Sequence, residues 1–388
     1  MSTKFRKYRV VHLPTSVGGN PQGLSAHLEK LGIESEAWIF QQNVFNYSCD
    51  RVIWSERDGL WRREVKRLLA IIQTAWTFQV IHFNYGTGWA TPVPMFRSSD
   101  RGVKTKLKRF IAGAYFTILA SAELSLYRAF GRQMFVHYQG DDARQGGFCL
   151  ENFEHSVAQY VEPGYYSPES DELKRRAISR MEKYCNRLYA VNPDLMYVLG
   201  RKARFIPYCH ISLEEWKPCF SAVGSRPLRI GHAPSHRGVK GTDIILKVLD
   251  ELAAEGHEFE LVLVEGLSNS EARRRYEDVD VMIDQLHAGW YGGLAVELMA
   301  MGKPVMVYIR EEDLQFLPVE MQVDIPVIRV TEESLKSDVQ RVLAMKPEEI
   351  IEIGRRSRRY VEKWHDPARI AEDIKRDYDL ALRLGTGR

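Results

Sequence analysis

Two stretches of the chain set cations, glycines and a carboxylate at spacings suited to binding a diphosphate and a diol. In GHAPSHRGVKGTDIILKVLDEL (231–252) a strand-like run ends, a small polar loop follows, and helical periodicity begins near Gly241. A helix start offers unpaired backbone N–H groups and the positive end of the helix dipole, and Arg237 and Lys240 add two cations beside it. That is a diphosphate site in outline; the plain alternative is a solvated loop that happens to be basic. In VDVMIDQLHAGWYGGLAVELMAMGKPVMVY (279–308) a strand ends near Asp284, a loop carries Gly289, Trp290, Tyr291, Gly292 and Gly293, and a helix is predicted from Leu294 to Met301. The glycines let backbone approach a ligand closely. Glu297, one turn into that helix, is placed to accept two hydroxyl hydrogen bonds, for which a ribose diol is the natural partner. Otherwise Glu297 only complements the helix dipole, worth ~0.3–1 kcal/mol.

The first half offers a second set. Ligands of open α/β sheets collect beyond the C-terminal ends of strands. Gly18 and Gly19 follow the first strand, His82 lies at the end of another, and His137 through Asp142 follow a third. His82 and His137 also sit within strand patterns and read equally well as satisfied structural histidines.

The elements that must position these residues follow one grammar, short β-branched or aromatic runs alternating with helical periodicity, as in βα units around parallel sheets. Residues 8–13, 36–40, 79–83 and 133–138 read as strands in the first half, and 228–233, 259–266, 281–283 and 304–309 in the second. Ile244, Ile245, Val248, Leu249 and Leu252 share one helix face. Between the halves, residues 203–227 carry Pro207, Pro218 and Pro227 with little periodicity and read as a linker. The expected class is α/β, two Rossmann-like doubly wound domains facing across a cleft. Near the end, Arg355, Arg356, Arg358 and Arg359 read as a solvated helix face.

Composition narrows the classes further. With 388 residues, 45% hydrophobic and 27% charged, the chain is long enough for two or three cores at about 150 residues per domain. A net charge of +3 is too small to imply a nucleic-acid partner. Cys49, Cys149, Cys185, Cys209 and Cys219 form an odd set with no Cys-x-x-Cys pair, which argues against a disulfide framework or structural zinc and for reduced thiols in the cytoplasm. The apolar stretch Val10 to Leu13 is too short for a signal-peptide core. The mid-chain run without charge, Phe110 to Ala122, is 13 residues, short of the ~18–20 needed to span a bilayer.

HAPSHRGVKGT (232–242) together with GWYGGLAVELMAMGKPV (289–305) resembles the donor-binding half of retaining GT-B-fold glycosyltransferases of the family 4, or group 1, kind. That group includes bacterial mannosyl- and glucosyltransferases of cell-surface polysaccharide synthesis. The first-strand glycine loop, IHFNYG (81–86) and HYQGDDAR (137–144) match the family's usual order, and ARFIPYCHISLEEWKP (203–218) resembles its interdomain hinge. The resemblance implies an acceptor-binding domain over 1–208, a linker over 209–227 and a donor domain over 228–364. A terminal helix over 365–388 would cross back to the first domain. It implies hexosyl transfer with retention, without metal or other cofactor, from a UDP- or GDP-linked sugar to a hydroxyl of a glycan or lipid-linked acceptor. Arg237 and Lys240 would hold the diphosphate and Glu297 the ribose, while Trp290, Tyr291, Gly292 and Gly293 would lie under the sugar. Asp142 ends a Gly-polar-Asp motif placed beside the reaction centre. With it, His137 counts among the catalytic candidates, and Gly18, Gly19, His82 and Asp141 form the acceptor side. One departure matters. The family's second glutamate, eight positions before the ribose glutamate, is Gly289 here, so Asp284 or Gln285 is expected to take over the sugar hydroxyls.

Other readings compete. A dinucleotide-dependent oxidoreductase would share the fold class, but PTSVGGNPQG (14–23) lacks the Gly-x-Gly-x-x-Gly spacing. An inert homologue serving as a binding subunit is kept open by Gly289. Asp278 with Asp280, and Asp141 with Asp142, have the look of metal-binding pairs, but a basic diphosphate site makes a cation redundant, so no metal is predicted. The stretch 101–132 carries seven Lys or Arg against one Glu around an apolar run. It reads either as a buried helix or as a peripheral contact with an anionic inner membrane.

Overall fold

The computed structural model describes residues 8–42, 47–90, 103–220, 224, 226–267 and 269–385. Seven strands form a first sheet: β1 (Arg9–Leu13), β2 (Glu34–Ile39), β3 (Arg51–Val52), β4 (Val80–Asn84), β5 (Gln133–Tyr138), β6 (Arg187–Ala190) and β7 (Ala203–Phe205). Five form a second: β8 (Leu228–His232), β9 (Phe259–Leu263), β10 (Val281–Ile283), β11 (Val305–Val307) and β12 (Ile328–Arg329). Every pairing is parallel. Helices on both faces bury the strands, which explains their near-continuous apolar runs; β4 is buried at every residue.

The orders are β3-β2-β1-β4-β5-β6-β7 and β12-β11-β10-β8-β9. Strand order therefore reverses between β1 and β4 in one sheet and between β8 and β10 in the other. At such a switch point the two loops diverge to opposite faces and open a crevice at the strand C-termini. The loops after β1 and β4, and those after β8 and β10, are the segments singled out by the sequence. The helix after β10 spans Gly293–Ala300. The strands β3, β6, β7 and β12 were not foreseen; β3 and β12 have two residues each, too few for a period to register.

The expected linker is not a solvated tether. Ile206, Tyr208, Cys209, Ile211 and Trp216 are buried in the core that joins the two sheets. Arg358, expected on a solvated face, is half-buried and donates to the carbonyls of Trp216 (2.5 Å), Ala300 (2.8 Å) and Leu213 (3.3 Å). It thereby satisfies the open C-terminal end of Gly293–Ala300 while tying down the connecting segment. The last helix, Pro367–Gly385, lies on the first sheet. Its Asp379 accepts from the Tyr8 hydroxyl (2.9 Å) and its Asp377 from the Tyr189 hydroxyl (2.8 Å). All five cysteines are free.

Candidate active site

The loop after β8 carries the expected diphosphate cations on a short helix, Arg237–Lys240. The two do not face the same way. Lys240 turns inward, its ammonium 2.5 Å from Oδ1 of Asp284. Arg237 is exposed and pairs with Glu265 at 2.8 Å and Asp243 at 3.4 Å. A surface pair of that kind is held weakly and can exchange for a ligand phosphate, whereas the buried Lys240–Asp284 pair is a fixed part of the site.

The same contact corrects the expectation for Asp284. It is fully buried, with one oxygen on Lys240 and the other 3.5 Å from the Gly292 N–H, so it organises the loop rather than reaching a sugar. Gln285 is likewise turned inward and donates its amide to the Trp290 carbonyl. Trp290 and Tyr291 are 2% and 0% exposed. Their rings stack at 4.2 Å, and the Tyr291 hydroxyl meets Tyr360 (2.7 Å) and His365 (2.9 Å). Both aromatics belong to the core under the last helices, so only the backbone of this loop can line a ligand. Gly292 has open space where a side chain would stand, while Gly293 faces the His210 ring.

Gly289 has φ +75°, and a Cβ there would lie 2.7 Å from the Arg310 guanidinium. The space that a side chain at this position would use is filled by Arg310. That guanidinium pairs with Asp313 (2.8 Å), donates to the His155 carbonyl (2.5 Å) and covers the Phe153 ring at 3.8 Å. Phe153 and His155 follow β5, so Arg310 also joins the two halves. Nearby, Tyr160 stacks on His287 at 3.3 Å, and both hydrogen-bond Glu332, at 2.8 and 2.6 Å.

Glu297 is buried at the seam between the crevices. His210 Nε2 lies 3.5 Å from its Oε1, and the Tyr47 phenol is pushed up to about 12, first by burial and then by the Glu297 charge. Gly19, on the loop after β1, packs against the Tyr47 ring and the His210 Cβ, where a Cβ would come within 3.0 and 3.3 Å. His210 therefore stands between the loop of the first sheet and the helix start of the second. Its Nδ1 is buried with no hydrogen-bond partner. Neither His210 nor Tyr47 was foreseen, because His210 lay in the apparent linker and Tyr47 in a stretch without periodicity.

On the expected acceptor side, Asp142 is half-buried and accepts from the backbone N–H groups of Gln139 (3.0 Å) and Gly140 (2.8 Å). Burial outweighs those bonds and holds its carboxyl up at about 7. Asp141 is bound by the hydroxyls of Tyr165 (2.5 Å) and Tyr166. Gly18 serves packing: its φ is +69°, and the space beside it holds the Gln139 amide, which also bonds Asn20 (3.0 Å) and Asn84. Asp142 lines a cavity of about 270 Å³ with Tyr85, Phe116, Leu124, Lys174 and Arg180. Glu123, another lining residue, is fixed by the N–H groups of Trp89 (3.0 Å) and Ala90 (2.8 Å) and is raised to about 7 by burial. Its sequence signal was visible, a lone carboxylate closing a 13-residue run without charge.

His82 and His137 are corrected outright. They lie in mid-sheet, 1% and 4% exposed. His137 Nδ1 is 2.6 Å from His82 Nε2, and His82 Nδ1 bonds the Tyr378 hydroxyl of the last helix. The His12 ring lies tilted against His82 at 5.1 Å. Burial lowers all three, His12 and His137 to about 3. They form a neutral row beneath a helix, out of reach of a ligand.

The acidic pairs are occupied too. Asp280 accepts from Arg226 (2.6 Å) and the Arg229 N–H (2.8 Å). Among the described residues no three His, Cys, Asp or Glu side chains converge as a metal site requires. Residues 101 and 102 of the basic stretch lie outside the described residues.

No family model matches the chain and no curated protein matches it. Solved structures do. Sucrose-phosphate synthase from Thermosynechococcus elongatus matches with a TM-score of 0.61 and 15% identity, covering 98% of this chain and 100% of that one. A glycosyltransferase from Rickettsia africae matches at 0.57 and 13%, covering 97% and 99%. The catalytic domain of starch synthase IV from Arabidopsis thaliana, bound to ADP and acarbose, matches at 0.56 and 11%, covering 97% and 100%. At these identities the likeness is one of fold: the chain has the two-sheet GT-B architecture over essentially its whole length.

Proposed function

We propose that the chain is a glycosyltransferase that moves a hexose from a UDP- or GDP-linked donor to a hydroxyl of a glycan or lipid-linked acceptor, with retention and without a metal. The observation that carries this reading is the meeting of the two switch-point crevices at His210, with Gly19 on one side and Gly293 and Glu297 on the other. A donor held by the second sheet thus faces an acceptor held by the first. The nucleotide-sugar enzymes that share the fold support the same assignment by analogy.

In this reading Glu297 accepts the ribose hydroxyls, while Lys240 and the N–H groups at the start of Gly293–Ala300 bind the diphosphate. Arg237 leaves Glu265 and Asp243 to close on it. The bond from the anomeric carbon to the diphosphate oxygen breaks, the acceptor oxygen bonds to that carbon on the same face, and the acceptor proton passes to the departing diphosphate. The residues' main task is to stabilise charge on the leaving oxygen, a contribution worth ~2.7–4 kcal/mol per well-placed donor. Asp142 orients the acceptor. The division into an acceptor domain (1–208), linker (209–227), donor domain (228–364) and returning helix (365–388) belongs to this proposal. So do a cytoplasmic location and a role in bacterial cell-surface polysaccharide synthesis.

A panel of nucleotide sugars tested by thermal shift, followed by product analysis with glycan and lipid-linked acceptors, tests it. A UDP- or GDP-sugar is expected to raise the Tm and to yield product. Stabilisation by NAD alone would replace the proposal with an oxidoreductase. No nucleotide effect would leave a binding subunit, the reading that the filled space at Gly289 favours.

A further inference from the structure

The helix Leu60–Thr77, which connects β3 to β4, wears its apolar residues on the outside. Trp61, Val65, Leu68, Leu69, Ile72 and Trp76 recur at helical spacing and are all exposed, the two tryptophans at 79% and 75%. Its inner face has its own apolar set, including Ala70, Ile71 and Ala75, so the outer stripe is not needed for folding. Beside it runs the helix Val103–Ala129, whose outward residues include Ile111, Tyr115 and Ile118. The Tyr115 hydroxyl bonds Glu64 at 2.5 Å, and Trp76 meets Phe130 edge-on at 6.0 Å. These two contacts set the helices side by side in the same direction, so their exposed stripes adjoin in one apolar face.

We infer that this face docks on an anionic lipid bilayer. Scattered exposed apolar residues need no explanation, but a face of this breadth marks an interaction surface. Charge decides among partners. Arg62, Arg63 and Lys66 accompany the first stripe against Asp58 and Glu64, and by sequence Lys104, Lys106, Lys108 and Arg109 fall in the opening turns of the second helix. A second copy would set like charges against one another, whereas anionic headgroups complement them. Tryptophans at both ends of the stripe suit the interfacial zone, and among the described residues no helix is long and apolar enough to cross a membrane, so the helices lie on its surface. The same helix, Val103–Ala129, supplies Phe116 and Glu123 to the cavity that ends at Asp142. The docking face contains none of the donor or acceptor residues and stands independently of the proposed transfer.

Flotation of the full chain with phosphatidylcholine vesicles, with and without phosphatidylglycerol, tests it. The chain is expected to float with the anionic vesicles, less so as salt is raised. Trp61→Ser and Leu69→Ser/Ile72→Ser should each bind at least ~tenfold more weakly, with unchanged Tm. In the unaltered chain, hydrogen exchange should slow along 60–77 when vesicles are added. Failure to float at low salt, unchanged binding by both variants, or a dimer that the serine changes abolish would overturn the inference.

Discussion

The ammonium of Lys240 lies 2.5 Å from Oδ1 of Asp284, the lysine side chain 10% exposed and the aspartate fully buried. This pair ties the loop after β8 to the loop after β10 across the switch point of the second sheet. Because each charge offsets the other, Lys240 in the proposed role would present oriented N–H donors to a diphosphate more than a free charge. Removing either partner strands a buried charge, so Lys240→Ala and Asp284→Ala should each lose ~3–5 kcal/mol of stability in urea unfolding. The double variant Lys240→Met/Asp284→Leu should recover most of that loss and still fail to bind UDP or GDP by calorimetry. Nucleotide binding by the double variant would remove Lys240 from the site.

Gly289 and Arg310 make a second reciprocal pair. Gly289→Ala adds strain from a left-handed backbone and a methyl group 2.7 Å from the guanidinium. A Tm drop corresponding to ~1–2 kcal/mol is expected. Gly289→Glu, which introduces the side chain usual in the family that the sequence resembles, should be worse, since it must displace Arg310 from Asp313 and His155. Donor preference should not change, because the added carboxylate meets Arg310 and not the cleft. A Gly289→Glu chain as stable as wild type would show that Arg310 yields easily.

The loops at the two switch points were legible because glycine, proline and cation spacing after an apolar run is a local signal. Side-chain direction was not. Trp290 and Tyr291 look like ligand contacts in a glycine loop, yet Tyr291 points to Tyr360 and His365, more than sixty residues later, Trp290 packs on Tyr291 and Phe205, and no local pattern announces that packing. His82 and His137 could be told from site residues only by knowing that β4 and β5 are neighbours and that Tyr378 lies over them. His210 was missed for the opposite reason: a segment without periodicity reads as a linker even when it is buried between two domains.

The histidine row should shape the acid side of the stability curve. Free histidine takes a proton near 6.5, whereas buried His12 does so at about 3. A folded value below the unfolded one means that the unfolded chain binds more protons between them. Stability is then complete above about 6.5 and falls as pH drops toward 3. Asp142, Asp313 and Glu123, held up at about 7, work in the opposite direction between their ordinary values and 7. A single variant separates the two effects. His12 Nε2 has no partner to strand, so His12→Phe should gain on wild type by ~1 kcal/mol per pH unit below 6.5, measured by urea unfolding at pH 6.5, 5.5 and 4.5. Parallel curves would place the acid sensitivity elsewhere.

Glu297 and His210 separate donor binding from the closure of the seam. If Glu297 accepts two ribose hydroxyls, Glu297→Ala forfeits two bonds of ~1–1.5 kcal/mol each, a roughly 30- to 150-fold loss of UDP or GDP affinity, and Glu297→Gln should lose less. In the proposed reading His210 reaches the donor only through Glu297, but it also fills the gap between Gly19 and Gly293. His210→Ala should therefore leave nucleotide affinity within about tenfold while lowering kcat more than KM, since the first-sheet loop loses its stop against the donor helix. His210→Phe, which keeps the volume and gives up the contact with Glu297, distinguishes the two roles: a recovery of kcat assigns His210 to packing, and no recovery assigns it to the Glu297 carboxylate.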